Sequence, residues 1–215
     1  AWLVCRILGL LTWFLTSRRH IAIRNLALAF PDKPASWHRR MAFTSIMRML
    51  EMFAIPLVLP LISDNEARRR FRLAPGAKDR FDAIVKNGPA IIQTPHSATS
   101  ESLVIVPMLY PGFKITTVYR PLDFRPADRL VLRARMHWGM KLLSRKDGLL
   151  GLRKSIASGD SIGIFFDQNA LSGALILSFG QVCSTTDLPG ILAAKLHLPC
   201  YLVNPVRTGF LRAQF

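Results

Sequence analysis

The sequence predicts an α/β fold with a mostly parallel central sheet flanked by helices, preceded by an N-terminal helical extension that associates with membranes. Short, continuous apolar runs of strand length alternate with helical segments, which is typical of parallel strands buried on both faces. The 215 residues suffice for one such domain with a proper core. The start of the chain is both basic and apolar. We therefore predict a helical membrane-associating region over residues 1–75 and an α/β domain over residues 76–215.

Secondary-structure elements follow from apolar periodicity and from start and stop signals. Ser63 and Glu66 form a capping box that opens a helix, and Asn87-Gly88 ends another. The predicted helices are 21–60, a segment starting at 63, 78–86, 98–109, 126–138, 148–158 and 186–197. The predicted strands are 90–94, 114–119, 161–166 and 200–206.

The N-terminal apolar run contains Trp2 and Trp13, is interrupted by Arg6, and is closed by basic residues. Its stretch from 7 to 17 is too short to cross a bilayer, which takes ~20 apolar residues. It predicts either an interfacial helix or the end of a longer anchor. The chain does not begin with Met and stops soon after a strand, so we expect a fragment with a truncated C-terminus.

The chain combines strong basicity with high apolar content. Lys and Arg number 29 against 13 Asp and Glu, a net charge of +16, and half of the residues are hydrophobic. A protein that lies on an anionic membrane uses both properties, and an acidic protein partner would also be attracted. A non-enzymatic basic module that binds membrane or nucleic acid is an alternative. The basic residues are dispersed and form no nucleic-acid motif, so no nucleic-acid partner is expected.

The cysteines, Cys5, Cys183 and Cys200, are widely spaced and odd in number. They form no CxxC pair and no metal-ligand cluster with histidines. The expectation is buried, reduced thiols in a cytosolic compartment. We expect no metal and no cofactor.

Polar residues follow three of the predicted strands: His96, Arg120 and Asp167. In parallel sheets the reactive groups gather where strands end. Glu101 lies five residues after His96, and two such residues on one ideal helix are ~140° apart and cannot touch. If His96 instead lies in the turn before the helix, Glu101 can hold its Nδ1–H and leave Nε2 as a base. The alternative is an ordinary helix entry with a surface histidine.

A serine hydrolase is a further alternative, because residues 159–163 match the Gly-x-Ser-x-Gly pattern and Asp187 and His197 follow in hydrolase order. A nucleophile elbow needs a strand before the serine and a helix after it. Here a helical segment precedes Ser161 and a strand follows. Gly159 is better explained as the residue that ends that helix.

Several short motifs follow one another in a fixed order along the chain. They are Arg24-Asn25-Leu26-Ala27-Leu28-Ala29-Phe30-Pro31, His96-x4-Glu101, Val118-Tyr119-Arg120-Pro121, Arg135, Arg145-Lys146-Asp147, Asp167-Gln168-Asn169 and Phe179-Gly180. Taken together and in this order, they resemble the lipid A biosynthesis (lauroyl/myristoyl) acyltransferase family, and the similarity runs from about Arg24 to Arg207.

The resemblance implies transfer of a fatty acyl chain from an acyl carrier protein, or from acyl-CoA, to a hydroxyl of a membrane glycolipid. A lipid A precursor at the cytoplasmic face of the bacterial inner membrane is the expected acceptor. His96 then resembles the general base and Glu101 the carboxylate that orients it. Arg135 is expected at a substrate phosphate or the oxyanion, with Asp167 fixing that arginine or the acceptor. The expected substrate-binding residues are Arg120, Arg145, Gln168 and Asn169.

The sequence departs from the family pattern at positions that bear on the identity of the acceptor more than on the chemistry of acyl transfer. Pro95 stands where the family usually has Gly, Ser100 where it has an aromatic residue, and Asn169 where Asp is common. Phosphatidylinositol mannoside acyltransferases look similar and use the same base, so their glycolipid is an alternative acceptor.

Overall fold

The computed structural model describes residues 1–144 and 148–215, in which helices and strands alternate through most of the chain. The α-helices are α1 (Trp2–Leu15), α2 (Arg18–Ala29), α3 (Ala35–Val58), α4 (Asp64–Arg70), α5 (Ala77–Asn87), α6 (Val106–Leu109), α7 (Arg125–Met136), α8 (Gly148–Ala157) and α9 (Leu188–Leu196). Two 3-10 helices cover Leu59–Leu61 and Ser100–Ile105.

The strands are β1 (Phe71–Arg72), β2 (Ile91–Thr94), β3 (Ile115–Tyr119), β4 (Lys141–Ser144), β5 (Ser161–Phe165), β6 (Asn169–Ser178), β7 (Gln181–Thr185), β8 (Cys200–Leu202), β9 (Val206–Gly209) and β10 (Arg212–Gln214). Within the described residues, β4-β3-β5-β2-β8 form a parallel five-stranded sheet. A small sheet joins β1, β10 and β9, and β6 pairs with β7 as a hairpin.

The central sheet is buried on both faces, as its apolar strands predict. Consecutive residues Ile91 and Ile92 on β2 point into separate clusters on opposite faces. The larger cluster includes Phe81 of α5, and the smaller one includes Leu192 of α9. This layering confirms the predicted parallel sheet with helices on each face. It also brings the carboxyl ends of the five strands to one edge.

Helix α3 connects the N-terminal helices to the rest of the molecule. Ala35–Leu61 is long and apolar enough to cross a membrane, but 39% of its most apolar window is buried within the protein. Ile55 belongs to the larger core, and the buried Glu51 accepts bonds from Arg207 Nε at 2.9 Å and Leu211 N at 2.6 Å. These are contacts of a helix packed in a protein core. The predicted boundary at residue 75, between the membrane-associating region and the α/β domain, stays a prediction.

Most predicted elements are present, with local differences. The capping box is confirmed, since Ser63 Oγ accepts from Glu66 N at 3.3 Å. The predicted helix 98–109 is instead a 3-10 helix followed by the short α6. The predicted strand 200–206 divides into β8 and β9, and β4 and the β6–β7 hairpin were not predicted.

The hydrolase alternative is wrong. Gly159 ends α8 with a φ of +84°, and Ser161 is a buried β5 residue whose Oγ accepts the Ala90 N–H at 3.2 Å. A hydroxyl used in this way inside a strand is not an exposed nucleophile. The expectation of buried thiols holds for Cys5 only, because Cys183 is half-buried and Cys200 is exposed; all three are free.

Candidate active site

His96 and Asp167 meet at the carboxyl edge of the central sheet. Strands β2 and β5 are parallel neighbours, and Thr94 lies opposite Phe165. His96 and Asp167, each two residues beyond the end of its strand, therefore lie side by side. Asp167 binds His96 twice: Oδ1 accepts from the ring Nδ1 at 2.6 Å, and Oδ2 accepts the backbone N–H at 2.8 Å. Because a carboxylate only accepts, Nδ1 carries a proton and the neutral ring has Nε2 as its acceptor.

The His96 ring is held on its other sides without being enclosed. Phe165 packs on the ring with centroids 4.4 Å apart and planes tilted by 32°. Gln168 Nε2 lies 3.2 Å from His96 Nε2, where the amide donates to the ring nitrogen. About a third of the side chain is exposed, at 33% for His96 and 31% for Asp167. The ring is therefore fixed in orientation, while Nε2 is within reach of a ligand that displaces the amide.

Glu101 is not the partner of His96, contrary to the prediction. It lies in the 3-10 helix and accepts two bonds from Arg135 at the end of α7: Nε to Oε2 at 3.0 Å and one Nη to Oε1 at 2.6 Å. This is a bidentate ion pair, with side-chain exposures of 25% for the arginine and 16% for the glutamate. Of the two roles expected for Asp167, fixing Arg135 is wrong, because that arginine is bound by Glu101 and Asp167 binds His96. A contact of Asp167 with the acceptor stays a prediction.

The remaining predicted residues fall in different places. Arg120 is exposed directly after β3, whose carboxyl end lies at the same edge as β2 and β5. Asn169 opens β6 and pairs with Thr185 of β7. Gln168 contacts the His96 ring. Arg145 lies outside the described residues.

The loop after His96 is fastened by small hydroxyl side chains that sequence reasoning did not select. Thr99 is fully buried, and its Oγ1 donates to the Pro205 carbonyl at 2.7 Å. Ser102 Oγ donates to the Thr99 carbonyl at 2.6 Å, and Ser100 Oγ to the Ser97 carbonyl at 3.0 Å. The run of Ser and Thr between His96 and Glu101 was the available signal, since such side chains stabilise irregular backbone.

A comparison with known protein families gives a match to this chain. The family described as bacterial lipid A biosynthesis acyltransferase matches residues 2–211, nearly the whole chain. The chain belongs to this acyltransferase family. A comparison with curated proteins found no match.

Membership in the lipid A acyltransferase family confirms the resemblance drawn from the motifs and supports acyltransferase activity in lipid A biosynthesis. The family match also extends through α1, although the quoted motifs begin only at Arg24. In the His96–Asp167 pair, the ring Nε2 is the nitrogen that can accept a proton, as general base catalysis requires.

Proposed function

We propose that this protein transfers a fatty acyl chain from an acyl carrier protein to a hydroxyl of a lipid A precursor. The His96–Asp167 pair at the carboxyl edge of the sheet is the observation that carries the proposal. Asp167 fixes the neutral tautomer through Nδ1, so Nε2 is available as a general base. The Gln168 amide donates to Nε2, and in the proposed reaction the acceptor hydroxyl replaces it as the donor.

The reaction then proceeds by acyl transfer through a tetrahedral intermediate. His96 Nε2 removes the proton from the acceptor hydroxyl as its oxygen attacks the thioester carbonyl carbon. A C–O bond forms, and the carbonyl electrons become an oxyanion. Collapse of this intermediate breaks the C–S bond, and His96 returns the proton to the departing thiolate. The products are the ester and the free carrier thiol.

Arg135 is assigned to the developing negative charge or to a phosphate of the acceptor. Its Nε and one Nη are engaged by Glu101, which leaves the second Nη as the group that reaches substrate. The bidentate pair holds the guanidinium in one orientation, and a donor that is already oriented stabilises an oxyanion without reorganisation. Glu101 is thus a positioning residue for Arg135. Arg120, Gln168, Asn169 and Arg145 are assigned to substrate binding.

Because the proposed acceptor is a membrane lipid, we assign the enzyme to the cytoplasmic face of the bacterial inner membrane. The net charge of +16 attracts an anionic surface and an acidic carrier alike. On α1, exposed apolar side chains such as Trp2, Leu3 and Phe14 suit interfacial insertion. Acyl-CoA as donor and a phosphatidylinositol mannoside as acceptor are the alternatives.

The test is a transfer assay with purified protein, acyl carrier proteins loaded with chains of several lengths, and lipid acceptors analysed by mass. Lipid A precursor and phosphatidylinositol mannoside are supplied in parallel, each with carrier or CoA donors. The proposal expects an acylated lipid A precursor from the carrier donor. Acylation of the mannoside alone would move the enzyme to the other acceptor class.

His96→Ala provides the mechanistic arm of the same assay. Loss of a general base should lower turnover by ~10²–10⁴-fold. The fold should remain, because the side chain is one-third exposed and contributes little to the core. Unchanged thermal unfolding is the control. An alanine variant with normal turnover would remove His96 from the mechanism.

A further inference from the structure

The hairpin of β6 and β7 is chemically unlike the rest of the chain. It begins directly after Asp167 and Gln168, and residues 168–186 contain no Asp, Glu, Lys, Arg or His. Elsewhere charge is frequent, since 20% of the residues are charged. The hairpin therefore joins the candidate site to a long uncharged segment.

One face of the hairpin presents apolar side chains to solvent. Leu175 and Leu177 alternate along β6 and are 75% and 73% exposed, and Val182, the cross-strand partner of Leu177, is 72% exposed. Leu171 near the base and Phe179 at the tip are also exposed. A contiguous apolar ribbon of this kind in water marks an interaction surface. An edge-exposed ribbon with no charged residue also lacks the usual protection against aggregation.

The hairpin is held at both ends, so its orientation is defined. At the base, Thr185 Oγ1 donates to the Phe166 carbonyl at 2.6 Å, next to Asp167. Gly173 lies in the bulge there, where an added Cβ would meet the Thr185 carbonyl oxygen at 2.0 Å. At the tip, Phe179 contacts Phe30 with ring centroids 5.4 Å apart.

We propose that the β6–β7 hairpin is a second membrane contact, which inserts its Leu175, Leu177 and Val182 face into the apolar part of an anionic bilayer. The tip contact supports this occupant through charge. Phe30 follows the last residue of α2, a helix that carries Arg18, Arg19 and Arg24 and no acidic residue. An apolar ribbon beside cations matches acyl chains beside lipid phosphates. The insertion places the His96–Asp167 pair next to the bilayer surface.

An acidic carrier protein is the less suitable occupant of this face. Docking of an acidic protein needs cations on the contacting face itself, and residues 168–186 supply none, since α2 adjoins the hairpin through Phe30 at the tip. Hydrocarbon needs only apolar area, which the hairpin provides. The proposal concerns membrane binding and does not depend on acyl transfer, because binding to vesicles can be measured without turnover.

The test compares two matched pairs of leucines in the full chain. L175N/L177N removes the apolar face of the hairpin, and L149N/L150N makes the same neutral change on α8, where both leucines are at least half exposed. Each protein is titrated with phosphatidylglycerol vesicles at high salt, where attraction between charges is screened. For the hairpin variant, the lipid concentration for half-maximal binding should rise on the order of tenfold, because two leucines no longer enter hydrocarbon. The α8 variant should bind as the parent does.

Equal binding by both leucine pairs would overturn the proposal. So would a hairpin variant that binds vesicles normally but loses affinity for acyl carrier protein, since the face would then be a carrier site. If L175N/L177N does not fold, Phe179→Trp decides the matter. Its added fluorescence should shift to the blue on vesicles and be quenched by lipids brominated on the acyl chain, whereas Leu150→Trp should not respond. His96→Ala should bind vesicles normally, which separates failure of the hairpin from failure of the chemistry.

Discussion

Each end of the central strands carries a carboxylate paired with a basic side chain: His96–Asp167 at the carboxyl ends and Lys141–Asp160 at the amino ends. The two carboxylates differ in how far they are exposed to solvent. At the carboxyl edge, Asp167 holds His96 and both side chains remain about one-third exposed. At the amino edge, Asp160 precedes β5 and its side chain is 1% exposed. It accepts two bonds from Lys141 Nζ, at 3.0 and 2.8 Å, and one from Thr116 Oγ1 at 2.9 Å.

The comparison separates a structural carboxylate from one in a candidate site. Asp160 has both oxygens bonded within the protein and links the amino-terminal ends of β3, β4 and β5, so neither oxygen is available to a substrate. Both oxygens of Asp167 accept hydrogen bonds from His96. The Nε2 atom of that histidine faces the Gln168 amide, which a ligand can displace. We therefore expect changes at the carboxyl edge to alter transfer, and changes at the amino edge to alter stability.

The largest effect is expected from Asp167→Asn. The amide can hold the ring in the wrong tautomer, so turnover should fall by ~10²–10⁴-fold, measured as initial rate at saturating donor. Glu101→Gln is the matched control, because it makes the same change on the carboxylate that pairs with Arg135. It should cost less, about tenfold, by weakening the hold on Arg135 without touching the ring. If Glu101→Gln proves the more damaging change and Asp167→Asn is silent, His96 and Glu101 form the working pair after all.

A smaller loss is expected from Arg135→Lys. Lysine keeps the charge but cannot span both oxygens of Glu101, so at least about 1.4 kcal/mol of transition-state stabilisation, or tenfold in rate, should be lost. Arg133 is exposed two residues earlier and points ~200° away on the same helix. Transfer by Arg133→Lys should be normal. Equal activity of both lysine variants would remove Arg135 from the site.

At the amino edge, Asp160→Asn should lower the free energy of unfolding by about 1–3 kcal/mol, because it weakens a buried hydrogen-bonded group. Transfer per folded molecule should be unchanged. Lys141→Gln should cost at least as much, because it leaves the Asp160 carboxylate, whose side chain is 1% exposed, without the ammonium that donates to both of its oxygens. Denaturant melts with a transfer assay on the folded fraction measure both quantities. A selective loss of transfer in Asp160→Asn would contradict the division between the two edges.

Sequence reasoning found β2, β3, β5 and β8 of the central sheet and the polar residues at their carboxyl ends, but it paired His96 with the wrong carboxylate. Apolar runs such as 90–94 and 161–166 were sufficient to place His96 and Asp167 at strand ends. The pairing depended on strand order, because β2 and β5 are neighbours in space while far apart in sequence. Proximity in sequence favoured Glu101, although the 3-10 helix directs that side chain to α7. The hairpin escaped prediction because its apolar ribbon is exposed, whereas apolar runs are read as core.

The smallest effect is expected at a third carboxylate, on the surface of α5. The Lys78 ammonium and then the Tyr110 hydroxyl bond to Asp82 and hold the pKa of that carboxyl below its ordinary value of 3.8. A lowered pKa in the folded state contributes stability that is present above the unfolded value and is lost as pH falls through the folded one. The difference in unfolding free energy between parent and Asp82→Asn should therefore be constant near neutrality and shrink below pH 3.8. Urea melts across this range measure it, with Tyr110→Phe as a control that keeps the ring stacked on Phe81 while removing one of the two bonds. A difference that does not change with pH would show that the Asp82 carboxylate is not linked to folding through its proton.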